Sequence, residues 1–141
     1  MPTELLSYEQ KIKFPSQADN VHLVEKLVDN VCDELNLQGE NYGNILIALT
    51  EAVNNAIHHG NKLDPNKNTT VSCTHEDHKI TFKVEDEGKG FNFYNLPDPT
   101  SPENIDVPNG RGIFLMKNLA DEINFENNGK TVELTFHILN N

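Results

Sequence analysis

Tryptophan is absent from this sequence of 141 residues, cysteine occurs twice, and positive charge is scarce. Eleven Lys and Arg residues stand against 22 Asp and Glu residues, which gives a formal net charge of −11. That balance excludes the basic surface expected of a nucleic-acid-binding protein, and it disfavours docking on an anionic membrane. Any anionic ligand must be held by local groups, because the field of the whole chain repels it.

Long hydrophobic runs are also missing. No stretch approaches the roughly 20 apolar residues that a membrane span needs. The first residues, "MPTELLSYEQKIKF", have neither the basic start nor the apolar run of a signal peptide. Cys32 and Cys73 lack the spacing of metal ligands, and each falls within an apolar pattern, so we expect two buried free thiols. We therefore expect a cytoplasmic protein.

The hydrophobic residues that are present, 36% of the chain, follow clear periodicities. The length is enough for one domain, residues 1–141, with its own core. Apolar residues at helical spacing predict helices over 16–39, 40–59 and 111–122, the first opened by a capping box at Ser16 and the second stopped by Gly60. Alternation with period two predicts an edge strand at 10–14 and hairpins over 69–86 and 123–139. The predicted fold is α+β, a two-layer sandwich in which about three helices pack on one face of a mixed, mostly antiparallel sheet.

The end of the second predicted helix, "EAVNNAIHHGN", is unusually polar for a helix with an apolar stripe. At about 100° per residue, Glu51 and Asn55 lie one above the other on the flank of that stripe. A carboxylate and an amide oxygen so placed could act together on one magnesium ion and its waters. By itself, the E-x-x-x-N spacing also fits a solvated helix face. Asn54 points away from Asn55 and is expected at the surface, as is His58.

The second polar cluster is "DEGKG", Asp86 to Gly90, at the end of a predicted strand. Asp86 continues the parity of the inward-facing residues before it, so its carboxylate should point towards the helices. A buried carboxylate is costly unless donors meet it, and a ligand amino group could be such a donor. Gly88 and Gly90 would let a ligand approach the backbone closely. An ordinary turn at the end of a strand is the alternative.

The third cluster, "NGRGIFLM", places Gly110 and Gly112 at the start of the third predicted helix. Free backbone N–H groups and the positive end of the helix dipole favour an anion there, and Arg111 adds a full charge. It follows an irregular segment, 91–109, of a length that is usually functional or disordered. A G-x-G before a helix is weak by itself, but the chain has no G-x-x-x-x-G-K-[ST], which excludes a P-loop as the phosphate site.

Together, in this order and spacing, the three clusters resemble the N box and the two glycine boxes of the GHKL ATPases. From about Ile45 to the end, and more loosely from residue 10, the chain looks most like the stand-alone bacterial anti-sigma factor serine kinases. The resemblance implies that ATP and Mg²⁺ bind between the helices and the sheet, under a mobile loop at 91–109.

The resemblance also implies a role for each matching residue. Glu51 matches the general base and Asn55 the magnesium ligand of the family, and Asp86 matches the acid that hydrogen-bonds the adenine amino group. The remaining matches are nucleotide-binding positions: His59, Gly88, Gly90, Gly110, Arg111 and Gly112.

The implied activity is transfer of phosphate from ATP to a serine on an anti-anti-sigma (STAS-type) protein. The same module would sequester a sigma factor, and the resemblance suggests a homodimer. The alternative is a nucleotide-dependent protein-binding switch of the same fold without kinase activity. A sensor histidine kinase would need a preceding dimerisation helix with a phosphoacceptor histidine, for which this chain has no room. A scaffold that binds no nucleotide would make all three clusters coincidental.

Overall fold

The computed structural model describes residues 7–76, 78–89 and 110–138. These residues form five strands and three α-helices, which we number in chain order. They are β1 (Ser7–Pro15), α1 (Val21–Glu34), α2 (Glu40–Asn55), β2 (Asn68–Glu76), β3 (Lys79–Glu85), α3 (Gly110–Leu119), β4 (Glu122–Glu126) and β5 (Thr131–His137).

The strands form one sheet in the order β1-β2-β3-β5-β4, and each of the four pairings in the described part of the chain is antiparallel. β1 lies at an edge, as predicted for residues 10–14, although it is longer than predicted. Both predicted hairpins are confirmed, with β2 pairing β3 and β4 pairing β5.

The sheet buries one face because its apolar residues alternate. Ile80, Phe82 and Val84 of β3 are buried, and the residues between them in the strand are half-exposed. Phe82 meets Phe136 edge to face, with ring centroids 6.1 Å apart, a geometry that aromatic pairs favour. The helices cover this face, with α2 in contact with both α1 and α3. The α+β, two-layer fold class predicted from the sequence is therefore confirmed.

Helix α1 ends earlier than predicted. Its buried stripe has the expected spacing, but the helix stops at Glu34 and not at Gly39. Asn36 takes a left-handed conformation (φ 57°), while the Leu37 N–H donates to the Cys32 carbonyl at 2.8 Å. This is a Schellman termination with asparagine in the place usually taken by glycine.

The predicted capping box at Ser16 is wrong. A 3₁₀ turn at Ala18–Asn20 precedes α1, and no side chain caps either segment. The Ser16 side chain is buried, and its hydroxyl pairs instead with that of Thr69 at 2.9 Å. The Ser16 hydroxyl thus bonds to a residue of β2 and not to a backbone N–H of the helix that follows it.

Helix α2 continues into a π-helical turn, Ala56–Gly60, before the chain leaves the helix layer. The predicted stop at Gly60 is confirmed. The turn closes with a bond from the Asn61 N–H to the Ala56 carbonyl at 2.8 Å. Single π turns inside or at the end of α-helices often occur at functional sites. In the described part of the chain, no helix has the length and hydropathy needed to cross a membrane.

Cys32 of α1 and Cys73 of β2 are buried free thiols, as predicted. Burial raises the pKa of Cys73 to about 12 and that of Cys32 to about 11. At neutral pH both therefore remain thiols, and we assign them to the core.

Candidate functional site

A pocket opens between the helix layer and the sheet, at the end where β3 finishes. About 480 Å³ of space, including its open mouth, lies between these side chains. The lining is mostly apolar with a few polar groups, as in ligand sites generally. It consists of Ala52, Asn55, Ala56, His59 and Gly60 from the helix side, Ile113 and Met116 from α3, and Val84, Asp86, Phe125, Gly129, Lys130 and Val132 from the sheet side.

Asp86 is the carboxylate in this lining, and its predicted direction is confirmed. It is half-buried directly after β3, with its backbone N–H donating to the Lys130 carbonyl at 2.9 Å. Burial raises the pKa of the Asp86 carboxyl. The hydrogen bond from the Gly88 N–H, at 2.8 Å, and the charges of Lys130 and Lys67 act in the opposite direction. Asp86 thus lines the pocket with a carboxyl group of which Oδ1 accepts the bond from Gly88.

Two glycines allow the backbone to close tightly around Asp86. A Cβ added to Gly60 would lie 2.4 Å from the Asp86 Cγ, and one added to Gly88 would lie 1.9 Å from the Gly60 carbonyl oxygen. Neither position can hold a side chain without movement of Asp86 or of the backbone. Gly88 was predicted as a site residue, whereas Gly60 was predicted only as a helix stop.

Glu51 and Asn55 meet the start of α3. A Cβ on Gly112 would lie 2.9 Å from Asn55 Nδ2 and 3.0 Å from Glu51 Oε2. The first turn of α3 therefore packs directly against the two polar groups that helical geometry placed on one flank of α2. This contact joins the N box to the second glycine box, which are about 60 residues apart in sequence.

The two histidines of the π turn differ. Both are exposed, as expected for His58, but only His59 contributes to the lining of the pocket. Partial burial lowers the pKa of His59, and the neighbouring charge of His58 lowers it further. His59 is therefore biased towards its neutral form near the pocket. Asn54 is half-buried and not fully at the surface.

Several predicted site residues fall wholly or partly outside the described residues. Gly90 and the segment 91–109 lie there, as does the Arg111 side chain. Gly110 begins α3, which agrees with the prediction that Gly110 and Gly112 lie at the start of the third helix.

Sequence reasoning missed Lys130 and Asn61. Lys130 lies in the turn between β4 and β5 and lines the pocket. Asn61 is buried behind the pocket and bonds to three separate segments. The signal available for Asn61 was its position directly after the His-Gly that ends the helix, where a buried amide is unexpected.

The side chains at the pocket and beside Gly112 include groups that could contact Mg²⁺ and a purine. Among the described residues, no group of three His, Cys, Asp or Glu side chains is placed to hold a metal ion. Mg²⁺ needs no such group, because it usually takes one or two protein oxygens and completes its shell with waters and phosphates. The oxygens of Asn55 and Glu51 beside Gly112 fit that pattern. Val84, Ile113 and Met116 provide apolar lining that suits a purine.

Known proteins of the same class are similar to this chain over most of its length. Residues 14–136 match the family model described as histidine kinase-like ATPase domain. The serine-protein kinase RsbW of Bacillus mycoides (strain KBAB4) is 29% identical over 135 residues, which cover 91% of this chain and 84% of the relative. The protein of the same name from Bacillus cereus (strain ATCC 10987 / NRS 248) gives the same identity and coverage.

A solved structure is similar in fold. The crystal structure of the RsbU and RsbW domains of a Mycobacterium tuberculosis protein superposes with a TM-score of 0.67 over 92% of this chain. This chain covers 32% of that longer chain, and the identity is 17%, so the likeness shows the fold alone. Because the family model spans most of the sequence, and the fold and pocket agree with it, the chain belongs to the histidine kinase-like ATPase domain family.

Proposed function

We propose that this chain is an ATP-dependent serine kinase that phosphorylates an anti-anti-sigma protein of the STAS type and sequesters a sigma factor when that protein is unavailable. The observation that carries the proposal is the seam where Gly112 meets Glu51 and Asn55. It supports the proposal because the Glu51 carboxylate and the Asn55 amide lie at the start of α3, next to a pocket that carries Asp86. The names and similarity of the relatives support the same activity.

In this proposal Asp86 accepts a hydrogen bond from the adenine amino group, while Val84 and Met116 contact the purine. Gly88 and Gly90 allow close approach. The backbone N–H groups of Gly110, Arg111 and Gly112 face the phosphates, because a helix N-terminus favours anions. His59 borders the pocket and helps to shape it. Asn55 supplies an oxygen to Mg²⁺, which when bound offsets the charge of the phosphates.

Glu51 acts as the general base. It takes the proton from the serine hydroxyl of the partner as that oxygen forms a bond to the γ-phosphorus. The bond between the γ-phosphorus and the bridging oxygen breaks, and ADP leaves with the electron pair. Because phosphoryl transfer depends mostly on positioning and charge stabilisation, this small set of groups is sufficient. The phosphoserine adds about two negative charges to the partner, which favours its release from an acidic chain.

The test is a phosphotransfer assay with ATP, Mg²⁺ and purified STAS-type proteins from the same genome, with phosphoserine detected by mass spectrometry. Glu51→Gln should lower the transfer rate by about 10²–10⁴-fold, since general-base catalysis contributes about that much. Its ADP affinity should stay within a few-fold of the unsubstituted chain. Glu25→Gln, an exposed glutamate on α1, is the matched control and should transfer normally.

Either of two results would count against the proposal. Normal transfer by Glu51→Gln would place the base elsewhere. Nucleotide binding without transfer to any STAS-type protein would favour the nucleotide-dependent switch without kinase activity. In that case the homodimer suggested by the family resemblance would be tested together with sigma-factor binding, by measuring the mass of the complex.

A further inference from the structure

Asn61 follows the π turn at the end of α2 and lies outside the residues assigned to nucleotide binding. Its side chain is almost fully buried, at 1% exposure. A buried amide is costly unless its polar atoms have partners. At Asn61 both ends of the amide are bonded. The partners are Asn68, seven residues away, and two that are distant in sequence, Ser16 and Glu87.

The amide nitrogen anchors the residue to the rim of the sheet. Asn61 Nδ2 donates to Ser16 Oγ at 2.6 Å and to the Asn68 carbonyl at 3.0 Å, with Thr69 Oγ1 farther away at 3.4 Å. The Ser16 and Thr69 hydroxyls also bond each other at 2.9 Å. These contacts fix the amide plane, and therefore fix where its oxygen points.

That oxygen points at the loop that carries Asp86. Asn61 Oδ1 accepts a hydrogen bond from the Glu87 backbone N–H at 2.7 Å. The Glu87 carboxylate in turn accepts from the Asn68 N–H. The preceding N–H of the same loop, that of Asp86, bonds to Lys130 on the sheet side. The loop is thus held from both layers, and Asn61 provides the connection to the end of α2.

We infer that Asn61 is a positioning residue for adenine recognition: its amide oxygen holds the Glu87 backbone and thereby fixes the direction of the Asp86 carboxylate in the pocket. These bonds need two N–H donors on one atom and an acceptor on the other, held at the length of an asparagine side chain. Glutamine is too long, aspartate lacks the donors, and leucine lacks both donors and acceptor, so none of them can substitute fully. The inference rests on the proposed function, since it assumes that Asp86 reads the adenine amino group.

Two nucleotides that differ at the amino group test the inference. ADP has the 6-amino group, and inosine diphosphate has an oxygen in its place, which would face the Asp86 carboxylate. We expect the unsubstituted chain with Mg²⁺ to bind ADP about 100-fold more tightly by calorimetry, since a hydrogen bond to a charged group accounts for that ratio. Asn61→Ala should reduce the ratio to below about 10-fold.

Ser16→Ala is the matched control. It removes a buried partner of the same network and should lower the melting temperature, but it leaves the bond between Asn61 and Glu87 in place. Its ADP preference should stay within about three-fold of that of the unsubstituted chain, because the Asn61 amide keeps its bonds to Asn68 and Glu87. A purely structural role for Asn61 would lower stability in both variants and change the preference in neither.

The outcomes separate the inference from the proposed function. Full ADP preference in Asn61→Ala would overturn the inference and leave the adenine assignment of Asp86 intact. Equal binding of the two nucleotides by the unsubstituted chain would overturn both. If Asn61→Ala does not fold, amide exchange in the unsubstituted chain decides. Protection of the Glu87 N–H by about 100-fold or more supports the inference, and exchange at the unprotected rate overturns it.

Discussion

At the scale of single residues, the pocket contains a carboxyl group, that of Asp86, at a half-buried position where burial disfavours its charged form. Burial raises the pKa of Asp86, although Gly88, Lys130 and Lys67 partly offset the effect. The folded state therefore holds the proton of Asp86 more tightly than the unfolded state does. Because of this, the free energy of unfolding falls as pH rises from the ordinary value of 3.8 through the raised pKa.

Asp86→Asn removes this cost and also removes the charge that, under the proposed function, accepts the hydrogen bond of the adenine amino group. We expect its melting temperature at pH 7 to exceed that of the unsubstituted chain, and the difference to disappear as pH falls below about 3.8, where both side chains are neutral. ADP affinity should fall by about 100-fold, the value of a hydrogen bond to a charged group. Thermal unfolding from pH 3 to 8 and calorimetry measure the two effects.

The exposed Asp19 provides the control for this variant, since Asp19→Asn should change neither quantity. Retention of tight ADP binding by Asp86→Asn would remove Asp86 from the site. A melting temperature that falls at pH 7 would mean that ligand-free Asp86 stabilises the fold, contrary to the effect of its burial.

The sequence predicted the side-chain directions that depend only on the geometry of a single helix or strand. Helical spacing put Glu51 and Asn55 on one flank of α2, and strand parity put Asp86 on the inner face. Asn61 could not be predicted in the same way, because its partners lie 45 residues before it and 26 residues after it. Ser16 was misread for the same reason: its spacing fits a local cap, but a hydroxyl on β2 binds it instead.

At the scale of elements, the site depends on how closely α3 approaches α2. Gly112 is the contact point, and the atoms that a Cβ would meet are the ends of flexible side chains. Glu51 and Asn55 can move by a few tenths of an ångström without unfolding the protein. Their placement for chemistry is far less tolerant, since small displacements at a catalytic centre cost large factors in rate.

Gly112→Ala should therefore separate function from stability. We expect the gain in ADP affinity on adding Mg²⁺ to fall about 10-fold or more, while the free energy of unfolding changes by less than about 1 kcal/mol. Titration with and without Mg²⁺ and urea denaturation measure these quantities.

The comparison variant is Gly43→Ala in helix α2, where an added Cβ meets nothing within 4 Å. Its helix propensity should raise the free energy of unfolding by about 0.5–1 kcal/mol, and its Mg²⁺ response should be unchanged. An unaltered Mg²⁺ response in Gly112→Ala would show that the seam does not hold the metal.

At the scale of the whole molecule, the fold followed from its periodicities. The order β1-β2-β3-β5-β4 did not, because pairing between β3 and β5 joins strands separated by α3 and β4. The end of α1 was also missed, since Asn36 can adopt the left-handed conformation that a sequence reading reserves for glycine. Local pattern determines which segments form, while long-range contacts decide their order and limits.

The net charge of −11 also acts at this scale. It repels an incoming nucleotide, and added salt screens that repulsion. We expect the association rate of ADP without Mg²⁺ to rise a few-fold between about 20 and 200 mM NaCl, by stopped-flow measurement. Uncharged adenosine is the control and should associate at a constant rate. A rate for ADP that falls with salt would mean that local cations outweigh the overall field.

The most direct measurement of the central claim is a calorimetric titration of the folded chain with ATP and ADP, each with and without Mg²⁺. The pocket between α2, α3 and the sheet predicts one site per chain, micromolar affinity and tighter binding when Mg²⁺ is present. Absence of heat from a sample with a cooperative unfolding transition would contradict the claim, and the kinase proposal would fall with it.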